Sequence, residues 1–188
     1  MADQLATPAD LATLLGVGVD DRVTLLVEIG TAVVQAHVRQ RIVEVVNDSV
    51  TLAGSVRSWL RLPQRPVTAV ASISIDGEAV TDYKHFGSAL WRRCGWAECN
   101  DEPSEVEVVY THGYATGAQE LQLARGAVLA LVRGWADNTG GLKSERIDDY
   151  QAVYDEVAAQ LEASPFLRSA LRKQYGSRAG LARIGGGP

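Results

Sequence analysis

Two hydrophobic periods alternate along the chain, and the points where one gives way to the other outline its organisation. Thr7, Pro8 and Asp10 open a first helical segment: a capping hydroxyl, a residue that needs no amide donor, and an acid at the positive helix end. It stops near Leu15, before Gly16 and Gly18. Asp20-Asp21 then start a longer helix to about Gln40, with Val23, Leu26, Ile29, Val33 and His37 or Val38 on one stripe.

From Arg41 the period falls to two. Ile42 to Val46, a polar pair Asn47-Asp48, and Ser49 to Leu52 predict a hairpin. Ser58 to Pro63 predicts a strand stopped by proline, and Val67 to Ile75 another that turns at Asp76-Gly77. Asp82 to Trp91 adds one strand and Glu105 to Thr111 a further one, with an irregular stretch from Arg92 to Pro103 between them. The helical period returns at Ala118. Leu121, Ala124, Val128, Leu131, Val132 and Trp135 form a broad apolar face on a helix to Asp137, about 30 Å long. Asp149 caps a helix containing Val153, Val157 and Leu161, and Ser164-Pro165 starts a short one through Phe166, Leu167 and Leu171. The expected fold is α+β: a bundle of three to five helices with helices over 8–15, 20–40 and 118–137, an inserted antiparallel β region over 41–112, and a C-terminal arm.

Charge divides the chain more sharply than hydropathy does. Residues 164–188 carry Arg168, Arg172, Lys173, Arg178 and Arg183 and no acid. The preceding body, residues 1–163, holds thirteen basic and twenty-three acidic side chains, a formal charge of −10. With a net charge of −5 the whole chain is a poor general coat for DNA or acidic membranes, so any such binding belongs to the arm. The start, MADQLA, lacks the pattern of a secretory signal, and the longest strongly apolar run, Ala127 to Val132, falls far short of the ~20 residues a membrane span needs. A soluble protein of a cytoplasm is expected, with no membrane partner.

The chain is poor in constellations that carry chemistry. Cys94 and Cys99 match no familiar zinc spacing even with His85 or His112 added, and two reduced thiols are the expected state. His112, at a strand exit in YTHGY, reads better as a turn residue than as a catalytic base paired with a cysteine. Glu105 with Glu107, and Asp148 with Asp149, read as solvated faces. No glycine loop that would cradle phosphate follows any strand. Neither catalysis, cofactor nor metal is expected.

In their order, four segments resemble the head–tail connector proteins (head-completion adaptors) of tailed bacteriophages. They are Ala6 to Gly16 (ATPADLATLLG) followed by Asp20-Asp21; Leu62 to Val70 (LPQRPVTAV) followed by Asp76-Gly77; Glu107 to Tyr114 (EVVYTHGY) leading into the apolar helix; and Gly140 to Tyr150 (GGLKSERIDDY). The resemblance covers about residues 6 to 150. It implies a structural virion protein: a homo-oligomeric ring, usually of twelve copies, that docks on the portal protein and receives the tail through a tail completion protein. It further implies assembly in the host cytoplasm and DNA passing through the ring without specific binding, which an acidic channel would favour by repelling phosphates. The family's C-terminal segment commonly reaches the portal, so Phe166 and Leu167 become expected apolar anchors and Arg168, Arg172, Lys173 and Tyr175 expected polar contacts. Gln151 to Ala163 is more helical than the resemblance leads one to expect. The alternative reading is a nucleic-acid-binding module that uses the same basic arm, although no recognised motif or aromatic interleaving accompanies its bases.

Overall fold

In the computed structural model, residues 4–97, 103–139 and 150–176 are described. The fold is α+β, and the chain divides into a helical unit, residues 4–43 and 116–176, and a sheet unit inserted between them, residues 44–97 and 103–115.

The helical unit contains α1 (Pro8–Leu15), α2 (Asp21–Val38), α3 (Gln122–Thr139), α4 (Tyr150–Glu162) and α5 (Pro165–Tyr175). Its first helix starts where the sequence places it. Thr7 Oγ1 accepts from the Asp10 amide, and the Asp10 carboxylate accepts from the Thr7 amide, both at 3.1 Å, which satisfies two otherwise orphaned donors. Asp20 does the same for α2, accepting from Val23 N at 2.8 Å. That helix ends at Val38, short of the expected Gln40, because Arg39 adopts a left-handed conformation (φ 56°). The expected start of the next helix at Ala118 is a 3-10 turn, Gln119–Leu121, which leads into α3.

Helical periodicity buries the expected stripes: Val23, Leu26, Ile29, Val33 and Val38 from α2; Leu121 with Ala124, Val128, Leu131, Val132 and Trp135 of α3; Val153, Val157 and Leu161 from α4. Glycine sets the close approach of α2 and α3: a Cβ at Gly30 would lie 2.9 Å from Val128 Cγ1. α5 belongs to the same core, with Leu171 and Tyr175, one helical turn apart, both buried.

The sheet unit is a two-layer sandwich. Its larger sheet has the order β1-β7-β3-β4, formed by β1 (Val45–Ala53), β3 (Val67–Ile75), β4 (Glu78–Ala79) and β7 (Glu105–His112). The smaller has the order β2-β6-β5, formed by β2 (Trp59–Arg61), β5 (Tyr83–Phe86) and β6 (Ala89–Arg92). All pairings are antiparallel. Leu60 and Leu90 from one sheet and Ile73, Val106, Val108 and Tyr110 from the other fill the space between them.

Two strand expectations are corrected. Asn47-Asp48 is not a hairpin turn. Asn47 does take a left-handed conformation (φ 54°), but it makes a bulge within one continuous strand, because the residues on both sides pair with β7, Val45 with His112 and Asp48 with Tyr110. Residues 82–91 are not one strand either: Gly87 (φ 59°) reverses the chain, giving the β5–β6 hairpin. The Asp76-Gly77 turn is as expected, with both residues left-handed (φ 51° and 86°).

Part of the irregular stretch proves structural. Trp96 is wholly buried, its indole N–H donates to Ser58 O at 3.1 Å, and its amide donates to Ser55 O at 2.6 Å.

Candidate docking face on the C-terminal helix

Residues 165–175 form a helix for local reasons: Pro165 at its first turn, no β-branched residue, and Arg172 and Lys173 in the last turn, where cations complement the negative helix end. Its 3.6-residue period then distributes the six expected contact residues over three environments. Phe166 points outward and is 87% exposed, and Arg172 and Lys173 are exposed too. Leu167 and Arg168 lie half-buried at the edge. Tyr175 faces inward, only 4% exposed, so it serves the core of the helical unit.

The edge position fixes Arg168. Its Nη1 lies 2.8 Å from Glu162 Oε2, and its backbone carbonyl is 3.4 Å from His37 Nε2. Burial lowers the pKa of His37, with the Arg172 and Arg168 charges acting in the same direction; the Arg168 carbonyl and Glu162 oppose them without prevailing. Pro165, Arg168, Ser169 and Arg172 line a shallow groove of about 280 Å³ beside this contact. The helix thus presents an apolar ring and two cations outward, with a third cation held by the exposed carboxylate of Glu162 on the preceding helix. Arg178 and Arg183 lie outside the described residues, as do Cys99, Asp148, Asp149 and all but the last residue of the 140–150 segment.

The other sequence candidates are separated from one another. His112 is wholly buried at the end of β7, its Nε2 3.0 Å from Asp48 Oδ2 and its ring 5.2 Å from that of Tyr110, whose phenol pKa is raised by burial. His112 thus stands at the strand end, as expected, but as a buried residue paired with Asp48 and not as a turn residue. The His85 ring bonds the Gly87 carbonyl of its own hairpin. Cys94 is exposed, on a cleft of about 810 Å³ also lined by Asp76, Glu78, Asp82 and Arg92. Arg92 is engaged there, 2.8 Å from Asp82 Oδ1 and 3.0 Å from Gly95 O. Among the described residues no three His, Cys, Asp or Glu side chains are grouped to hold a metal, and no helix is long and apolar enough to cross a membrane.

One surface escaped the sequence reading. Trp59 and Phe86, each 54% exposed, pack ring to ring at 5.7 Å on the outer face of the small sheet. Reading 82–91 as a single strand hid this pairing; the signal that reveals it is Gly87-Ser88, which folds Lys84 and Phe86 back beside Ala89 and Trp91.

No known family model and no curated protein matches the chain. Among solved structures, its fold is similar to a chain from the neck of an empty GTA (gene transfer agent) particle, a structure computed with C6 symmetry. The TM-score is 0.51 at 14% sequence identity, with 98% of this chain and 94% of that one covered.

Proposed function

We infer that this chain is a structural component of the neck of a phage-like particle, a head–tail connector built as a homo-oligomeric ring. The observation that carries the reading is the likeness of fold to a neck chain over nearly its whole length. The order of the four connector-like segments supports it independently, since that order is a property of the sequence alone.

In this proposal twelve copies form the ring, a number compatible with the sixfold symmetry of the similar neck. The outward face of α5 meets the portal. Phe166, with Leu167 at the edge, supplies an apolar anchor of the kind that dominates interface energetics, while Arg172, Lys173 and the edge residue Arg168 set orientation on an acidic surface. The tail completion protein binds the opposite side, and DNA passes through a channel whose acidic character keeps it from sticking. The protein thereby belongs to the virion, after assembly in the host cytoplasm.

The deciding experiment is the joining of tails to heads assembled with Phe166→Ser/Arg172→Glu/Lys173→Glu protein. All three side chains are exposed, so the fold is expected to survive. Loss of the protein from the portal supports the role, and undiminished joining rejects it. Titration with duplex DNA at two salt concentrations tests the arm as a nucleic-acid grip, because phosphate binding would weaken steeply as salt rises.

A further inference from the structure

The two outer faces of the sheet unit have opposite character. On the small sheet the pairing Trp59–Trp91–Lys84 and the pairing Arg61–Ala89–Phe86 put three aromatic rings and two cations on the side away from Leu60 and Leu90. Lys84 Nζ stands 6.0 Å from the centre of the Trp91 ring. None of the three strands carries an acidic residue. An exposed aromatic cluster with cations at its margin is the composition of an interface core, and isolated soluble chains seldom expose one without a use for it.

On the large sheet, period-two alternation sends Val106, Val108 and Tyr110 inward and Glu105 and Glu107 outward. Glu107 is flanked by Thr51 on β1 and Ser74 on β3, with Ala79 beyond, and Glu105 is flanked by Ala53. Ser49 Oγ lies 3.2 Å from Glu107 Oε1 on the same face. This face is therefore low in relief, since its neighbours are Ser, Thr and Ala, and its projecting charges are carboxylates. Ser49, Thr51, Ala53, Glu105 and Glu107 are all exposed.

Bulk opposes small side chains, and cations oppose carboxylates. We propose that the Trp59–Phe86–Trp91 face of one copy docks on the Glu105–Glu107 face of the next copy, a head-to-tail contact between sheet units. The two faces are different surfaces on opposite sides of one sandwich, so the contact is heterologous. Such a contact repeats from copy to copy and gives a ring when its rotation closes. The inference rests on the reading of the chain as a ring component and identifies which surfaces meet. The Trp59 and Phe86 rings supply the apolar area, while Lys84 and Arg61 against Glu105 and Glu107 fix register and exclude the face-to-face alternative, in which cation would meet cation.

The test uses the purified full-length protein, half of it labelled with nitrogen-15, mixed and treated with a carbodiimide that joins amines to carboxylates in direct contact. The expected products are a ladder extending beyond dimers, and mixed-isotope peptides joining Lys84 to Glu105 or Glu107. Lys84→Arg, which keeps the charge and removes the reactive amine, eliminates that linkage. Trp59→Ser/Phe86→Ser, at positions already half exposed, lowers the yield at least about tenfold, as loss of two interface anchors requires. Absence of any intermolecular link from Lys84 to these glutamates overturns the proposal, as do products that stop at dimers. Quenching of the exposed tryptophans by single-stranded oligonucleotide, with no ladder, would overturn it in favour of a nucleic-acid face. Failure here with intact dependence of tail joining on α5 sinks this interface and leaves the neck role standing. Failure of tail joining to respond to the α5 variant, with the ladder present, does the reverse.

Discussion

The amide of Ala124 donates a hydrogen bond to the phenolic oxygen of Tyr175, 3.3 Å away and 51 residues later in the chain. Ala124 lies in the first turn of α3, where amides have no intrahelical acceptor, so α5 caps α3 from a distance. The same hydroxyl donates to the Glu120 carbonyl, and Gln174 Nε2 donates to it as well at 3.1 Å. Tyr175→Phe keeps the buried ring and leaves the Ala124 amide without its partner. It should cost about 1–3 kcal/mol, a melting point lower by roughly 2–4 °C per kcal/mol for a chain of this size. Differential scanning calorimetry measures it; a variant as stable as the parent would show that α5 is held by the packing of Leu171 and the Tyr175 ring, without help from the hydroxyl.

Asp10 carries two duties, and pH separates them from the apolar core. It completes the cap on α1 and meets Arg125 of α3 through two hydrogen bonds of 2.6 and 3.1 Å. Burial acts to raise its pKa, but the hydrogen bonds from Arg125 and Thr7 outweigh it and hold the carboxyl below its ordinary 3.8. A carboxylate depressed in the folded state contributes stability that is fully present above its unfolded pKa and lost as pH falls through the folded one. Arg125 is partly exposed, so the pair itself is worth at most about 1 kcal/mol, with the cap adding a similar amount. Asp10→Asn should therefore lower stability at pH 7 and converge on the parent in urea titrations as pH falls through the depressed folded pKa.

His37 gives the opposite kind of group the same sign of dependence. Its pKa is lowered from 6.5, chiefly by burial, with Arg172 and Arg168 opposing a further positive charge and Glu162 partly offsetting them. The unfolded chain therefore takes up a proton more readily than the folded one. Stability is present above about 6.5 and declines as pH falls from there toward the folded pKa. His37→Gln should flatten the melting temperature of the helical unit between pH 7 and pH 5 relative to the parent. An unchanged slope would mean that the imidazole is not in this contact.

Capped helix starts and apolar stripes were legible because they are local: Thr7 with Asp10, Asp20, and the α2, α3 and α4 faces each specify themselves within a few turns. The Asp76-Gly77 hairpin is legible for the same reason. Asn47-Asp48 is ambiguous in sequence because a turn and a bulge ask the same of asparagine, a left-handed backbone. What separates them is whether the flanking segments pair with each other or with a third strand sixty residues away, and that is not written locally. The candidate site was half legible. Composition located the basic helix, but only its packing shows that Leu171 and Tyr175 anchor it while Phe166 is left outside. Trp96 lies in a stretch rich in charged and polar residues, which hides its place in the core.

Two glycines that the sequence passes over make opposite demands, and alanine scanning should tell them apart. At Gly30 a methyl group would meet Val128 Cγ1 at 2.9 Å and Val132 Cγ2 at 3.0 Å, both side-chain atoms. Overpacking of about 1–3 kcal/mol is partly offset there by the ~1 kcal/mol that alanine gains over glycine in a helix. The net loss for Gly30→Ala should be about 1 kcal/mol. At Gly54 a methyl group would stand 2.0 Å from the Trp96 carbonyl oxygen, a backbone atom that cannot rotate away. Relief requires lifting residues 95–97, which breaks the Trp96 amide bond to Ser55 and the indole bond to Ser58. It also withdraws the largest side chain from between the two sheets. Gly54→Ala should therefore approach the effect of deleting Trp96, about 3–5 kcal/mol, with loss of near-ultraviolet circular dichroism from the sheet unit. Near-parental stability of Gly54→Ala would mean that Trp96 does not seal this sandwich.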